Sequence, residues 1–214
     1  MKTRPPSHHC TCRRVRRPAR AFTLIELLLV VTIMAALLTL ASVSVSHVVA
    51  GQQLSSSTMR FTNDLAYGAQ LAARENRLIG IRFVKLPDES DPDGAKQYRA
   101  WQFLARDRTT GKWRPLDAPH RLDPSTIMVE RDIYSTLLHV TAIATPDEVD
   151  DEDTTPPIFA FKPEGGTTLP KVTTAPKWCV TLALASDLSR APGQLPANFR
   201  TIVLNSHTAA ITEY

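Results

Sequence analysis

The chain has 214 residues, 43% of them hydrophobic and 21% charged, with a formal charge of +4. One globular domain fits that length once an N-terminal segment is set aside. The basic excess is local: residues 1–21 hold Lys2, Arg4, Arg13, Arg14, Arg16, Arg17 and Arg20 and no acid, and without these seven the remainder has 18 basic against 21 acidic residues, a charge of −3. The overall basicity therefore makes no case for nucleic-acid binding. It is topology information: Lys and Arg beside an apolar segment stay in the cytoplasm, so the C-terminal bulk is exported.

Within the leader, His8-His9-Cys10-Thr11-Cys12 lacks the second ligand pair that a zinc site needs at finger spacing, and no metal is expected there. Cys179 is then the one cysteine outside the leader. No internal disulfide is expected despite an oxidising destination. Its neighbours Trp178, Val180 and Leu182 place it in a strand, as a buried structural thiol.

From Phe22 to Ala41 the run Phe-Thr-Leu-Ile-Glu-Leu-Leu-Leu-Val-Val and onward contains one charged residue, Glu26. At about 1.5 Å per residue such a helix matches the ~30 Å hydrocarbon core of a bilayer. A carboxylate inside a span is costly, by about 2.5–3.5 kcal/mol at its centre, so Glu26 needs a reason. Its place one turn after Phe22, near the cytoplasmic end, lowers that cost without removing it.

Basic leader, Phe22-Thr23-Leu24-Ile25-Glu26 and unbroken apolar helix, in that order, resemble the N-terminus of type IV pilins and type II secretion pseudopilins. The resemblance implies that a prepilin peptidase cuts between Ala21 and Phe22 and N-methylates Phe22. It implies too that Glu26 is the assembly residue. The family usually has glycine before the cut, where this chain has Ala21. A free amine at Phe22 is a positive charge at the membrane face, and a carboxylate on a neighbouring helix neutralises it at far lower cost than either buried alone.

Beyond the span, Leu54, Thr58, Phe61, Leu65, Gly68 and Ala72 recur at the period of an amphipathic helix. No proline interrupts the chain between Phe22 and Pro87, so one helix is expected over 22–77, membrane-spanning over 22–41, with Gly51 a soft point. The segment from Asp64 to Arg77 resembles the helix end of H-type minor pseudopilins. From Leu78 the period becomes two: Ile79, Ile81 and Phe83 mark a first strand. A second covers Tyr98 to Ala105, with Tyr98, Ala100, Gln102 and Leu104 on one face and Trp101 and Phe103 on the other. Further strands are expected over 126–131, 137–143, 158–162, 178–185, 200–205 and 209–212, separated by Pro- and Gly-containing loops, the longest over 162–177 and 186–198. The expected fold is α+β: a long N-terminal helix packed on an antiparallel sheet or sandwich over 78–214.

Two acidic stretches are candidates for Ca²⁺. The turn Asp88 to Gly94 fails, because Ala100 stands where a bidentate glutamate is needed. The run Asp147 to Asp153 has no glycine-bent spacing and reads as a solvated, partly disordered charge run. The stretches Ile81 to Lys85, Tyr98 to Phe103, Pro115-Leu116 and Arg121 to Pro124 resemble the Verru_Chthon cassette protein D family of pilin-like proteins. Phe161-Lys162-Pro163-Glu164-Gly165 is similar to a strand-turn of the H-type pseudopilins. Thr208-Ala209-Ala210 stands where those have a Gly-Arg turn, which leaves the last strand pairing open.

No enzymatic constellation is present: there is no G-x-S-x-G elbow, H-E-x-x-H helix or glycine-rich phosphate loop. His120, His139 and His207 stand singly and read as surface or packing residues. The expected function is a pilin-like structural subunit of a type II secretion or type IV pilus-like filament, with no enzyme activity and no cofactor. Its partners are the prepilin peptidase, other pilin-like subunits through the helix, and the lipid bilayer. The expected location is the inner membrane, single-pass, with the C-terminal domain periplasmic. The competing reading is an exported β-domain that binds a partner alone, cut by an ordinary signal peptidase near Val48-Val49-Ala50.

Overall fold

A helix, α1 (Leu24–Glu75), and two antiparallel sheets make up most of the ordered structure. A computed structural model describes residues 23–150, 155–171, 177–190 and 193–214, with backbone alone over 40–47. Two compact units divide the chain, Met1–Val45 and Ser46–Tyr214.

In the first unit the described part is the start of α1. Among the described residues no helix is long and apolar enough to cross a membrane. The span expected over 22–41 begins at Phe22 and ends at Ala41, both beyond the side chains described.

In the second unit the predicted stripe of α1 is the buried one. Leu54, Thr58, Phe61, Leu65 and Ala72 are each under 5% exposed. Gly68 belongs to the same stripe because there is no room for more: a Cβ there would stand 2.7 Å from the Phe103 ring and 3.0 Å from that of Phe161. The helix ends in a Schellman motif. Asn76 takes the left-handed conformation (φ 49°), its N–H donates to Ala73 O, and the Arg77 N–H donates to Ala72 O. Arg108 adds bonds from its guanidinium to the Glu75 and Asn76 carbonyls.

The first sheet holds β1 (Ile79–Leu86), β2 (Gln97–Arg106), β3 (Trp113–Pro115), β4 (His120–Arg121) and, from later in the chain, β6 (Phe159–Phe161). Its order is β3-β2-β1-β6, with β4 also on β2. One face receives the helix: Phe61 packs edge-on to Trp101 at 4.8 Å and beside Phe83 at 6.0 Å. The opposite face is covered too, by a small cluster of Leu104, Trp113, Val149 and Ala160. That second cover is why β1 shows no inside–outside alternation in burial. It also encloses Arg82, which donates to its cross-strand partner Gln102 at 2.7 Å.

The second sheet runs β5-β7-β8-β9, from β5 (Thr126–Met128), β7 (Trp178–Leu184), β8 (Phe199–Leu204) and β9 (Ile211–Glu213). The two sheets meet where Thr167 donates through its N–H and its hydroxyl to Ser206 O. The last hairpin forms after all, with Ala209 in the left-handed region (φ 58°) where a glycine is expected.

Four expectations need correction. Residues 137–143 are not a strand: Thr136–His139 is a 3-10 turn. Leu137 and Leu138 are both buried, whereas consecutive strand residues face opposite sides. In place of a neighbouring strand, the hydroxyls of Ser135 and Thr136 accept from the Thr181 and Cys179 N–H groups on β7. The strand expected over 126–131 stops at Met128, because the chain turns at Arg131. The loop expected over 186–198 opens as a short helix, α2 (Ala185–Arg190), too short to show a period in sequence. The acidic run is structured as far as it is described. Pro146–Glu148 is a 3-10 turn closed by a Thr145/Glu148 capping box, Val149 is buried beside Trp113, and Asp150 pairs with Arg114 at 2.7 Å. Asp151 to Asp153 lie outside the described residues.

Candidate functional site

The start of α1 is where the expected site residues gather. Ala21 and Phe22 lie outside the described residues, as does the leader with its His-Cys pair. Glu26 is described, in the first turn of α1. The Thr23 N–H and hydroxyl both donate to Glu26 Oε2 at 3.2 Å, and the Glu26 N–H returns a bond to Thr23 Oγ1 at 3.3 Å. This is a capping box: Thr23 is the N-cap, and the carboxylate three residues on satisfies a backbone N–H that the helix leaves orphaned. The carboxylate also sits favourably at the positive end of the helix dipole. Sequence reasoning gave Glu26 one task, although T-x-x-E before an apolar run is the signature of a cap. Among the described residues both bonds that the carboxylate accepts go to Oε2.

Around this carboxylate the helix surface is apolar on every side. Leu27, Leu28, Leu29, Val30 and Val31 are consecutive and all exposed, the least of them 49%. Five consecutive positions exceed one turn of about 3.6 residues, so no polar face exists there. An exposed apolar surface of this extent marks a site of interaction. The hydroxyls of this stretch do not change that, because Thr32 and Thr39 turn theirs back onto the carbonyls of Leu29 and Ala36.

The remaining candidates are dispersed. His139 borders an apolar groove with Val140, Ile158, Leu169 and Trp178. His207 is exposed on the β8–β9 turn, where its N–H is held by Asn205 Oδ1. His120 does not stand singly as expected. Its Nδ1 lies 2.5 Å from Asp64 on α1 and its Nε2 2.8 Å from Asp117. Partial burial pulls its pKa down, but the two carboxylates together outweigh that and hold it above the ordinary histidine value. Cys179 is half-buried in β7, its Sγ within 3.5 Å of Tyr134 O. Among the described residues no set of His, Cys, Asp and Glu is placed to hold a metal ion.

Residues 16–42 match the family model described as the prokaryotic N-terminal methylation motif. The chain carries a prepilin-type N-terminus. The match covers the end of the leader, Ala21, Phe22, the capping box and the apolar start of the helix. No curated protein matches the chain. Among solved structures it is similar to GspH of E. coli in solution, at 15% identity over 77% of this chain and 89% of that one, with a TM-score of 0.45. It is also similar to the minor pseudopilin EpsH of the Vibrio cholerae type 2 secretion system, at 10% identity over 76% of this chain and 96% of that one, TM-score 0.44. A crystal structure of EpsH gives 14% identity over 76% and 93%, TM-score 0.43. These likenesses are loose.

Proposed function

We propose that this protein is a structural subunit of a type II secretion or type IV pilus-like filament, stored in the inner membrane and assembled through the start of α1. The observation that carries the proposal is one place in the chain: a methylation motif over a helix start whose surface is apolar on all sides and bears a single capped carboxylate. A prepilin peptidase cuts between Ala21 and Phe22 and methylates the new amine of Phe22. The leader 1–21 is removed, residues 22–41 span the bilayer, and residues 78–214 form a periplasmic β-domain. The narrower likeness to the Verru_Chthon cassette protein D family belongs to this proposal as well.

Assembly follows from electrostatics in a low dielectric. The Glu26 carboxylate accepts from the Phe22 amine of a neighbouring subunit, and each charge neutralises the other where water cannot. Only one stagger of two helices brings amine and carboxylate together, so the pair sets register as well as affinity. Intact-mass and N-terminal peptide mass spectrometry on protein from the native membrane tests the scheme. A chain beginning at N-methyl-Phe22 is the expected product. A chain beginning near Gly51 overturns the filament reading in favour of an exported binding domain, and an uncut Met1 chain leaves a plain anchor.

A further inference from the structure

The segment between β3 and β5 lies along α1 and is fastened to it at three points. Ser125 Oγ donates to Gln53 Oε1 at 2.6 Å. Ser57 Oγ donates to Asp123 Oδ2 at 2.8 Å and accepts from the Asp123 N–H at 3.0 Å. His120 Nδ1 meets Asp64 Oδ2 at 2.5 Å. Positions fall from 125 to 123 to 120 while the helix rises from 53 to 57 to 64, so the segment is a strap running antiparallel to α1. Between the fastenings the Leu122 N–H donates to Arg99 O at 2.8 Å, and the Leu122 side chain is buried in the main core.

Of the three fastenings, one depends on a proton. A carboxylate only accepts hydrogen bonds, and both ring nitrogens of His120 face one: Asp64 across the strap and Asp117 on its own side. With both acids ionised, both nitrogens must donate, and only the imidazolium has two N–H groups. A neutral ring leaves one nitrogen lone pair against a carboxylate, so one bond becomes a repulsion.

We propose that His120 is a proton-operated pin, which locks the strap 117–125 onto α1 when charged and loosens it when neutral. This goes beyond the filament reading and does not depend on it. The charged groups that line the cavity beside the ring are Asp64 and Arg60 from α1 and Asp117 and Arg121 from the strap, Arg121 being paired with Glu89 at 3.5 Å. From β2 come two rings, Trp101 at 5.8 Å and Phe103 at 6.0 Å, which shield it without titrating. The two carboxylates bond the ring directly and dominate the arginines, and the raised pKa of His120 agrees with that order. In the looser state the ring is neutral and the Asp64 and Asp117 carboxylates lose their cationic partner; the helix edge at Asp64 is freed while Ser57 and Gln53 stay held.

The test is hydrogen exchange of residues 117–125 in the full chain in detergent micelles, from about pH 5.5 to about pH 8.5 and corrected for intrinsic rates, with the imidazole of His120 titrated by NMR. Protection at Leu122, between the His120 pin and the Ser57 fastening, is expected to fall by about tenfold or more as pH rises through the pKa of His120, while that of Asp123, held by Ser57 Oγ, stays level. In His120→Gln protection at Leu122 is expected to stay level. Equal protection across the range in the native chain, or the same pH dependence in His120→Gln, overturns the proposal. Asp117→Asn serves if His120→Gln does not fold: it removes one negative charge outside the helix and is expected to move the transition to lower pH. An unmoved midpoint also overturns it.

Discussion

Gly68 and Ala209 show the same rule from opposite directions. At Gly68 the missing side chain is a packing requirement: a methyl group would press on the rings of Phe103 and Phe161 at 2.7 and 3.0 Å. The neighbours are core aromatics with little freedom to yield. Gly68→Ala is expected to destabilise the domain by about 1–3 kcal/mol, the usual cost of overpacking, read from the midpoint of denaturant unfolding. At Ala209 the side chain is the liability, because φ of 58° suits glycine. Ala209→Gly is expected to raise the unfolding midpoint, by about 0.5–1 kcal/mol, with unchanged β8–β9 pairing. A fall in stability there shows that the turn relaxes out of the left-handed region in solution. Gly166 is more constrained than either. It has φ of 74°, and a Cβ would come within 2.4 Å of the His207 carbonyl oxygen, so no other residue fits at that junction of the sheets.

The first turn of α1 can be dissected because its two tasks need different chemistry. Capping needs an acceptor at position 26, whereas pairing with an amine in a dry environment needs a charge. Glu26→Gln keeps an acceptor for the Thr23 N–H and loses the charge. It is expected to leave the helix start intact and to block filament incorporation, measured by cross-linking between subunits in the native membrane. Glu26→Val loses both. Thr23→Ala removes the N-cap hydroxyl at a cost of about 1 kcal/mol in helix stability while leaving the carboxylate charged. If Glu26→Gln assembles as well as the native chain, the capping box is the whole role of Glu26, and the proposed charge pairing fails.

For the molecule as a whole, linkage sets a pH window from groups with opposite signs. The pKa of His120 is raised in the fold, so its contribution is complete below its ordinary value of 6.5 and is lost as pH rises through the folded value. Asp88 and Asp107 are lowered. For Asp88 the Ser90 hydroxyl and N–H are the leading causes; for Asp107 they are the N–H groups of Thr110 and Thr109. Their contributions are present above the ordinary value of 3.8 and are lost as pH falls through the folded values. The three groups act together between those two pH values, and thermal unfolding is expected at its highest midpoint there. A midpoint still climbing above pH 7 removes His120 from this account. His120→Gln is expected to flatten the alkaline side alone.

What the sequence determined by itself was whatever depends on neighbours in the chain. The buried stripe of α1 follows from its period, and the bounds of the major strands follow from alternation and turn residues. The N-terminal motif is a contiguous string in which order is everything. Tertiary structure decided the rest, since it depends on residues far apart in sequence. The segment at 137–143 has strand-like composition, yet it folds as a turn because the hydroxyls of Ser135 and Thr136 meet β7 more than forty residues on. The acidic run reads as partly disordered until Val149 finds Trp113, while Asp147, Glu148 and Asp150 stay exposed. His120 looks isolated in the chain, and only the packing of α1 against the strap brings Asp64 to it across 56 positions. Local periodicity encodes which face of an element is buried; the partner that covers it is chosen by the folded core.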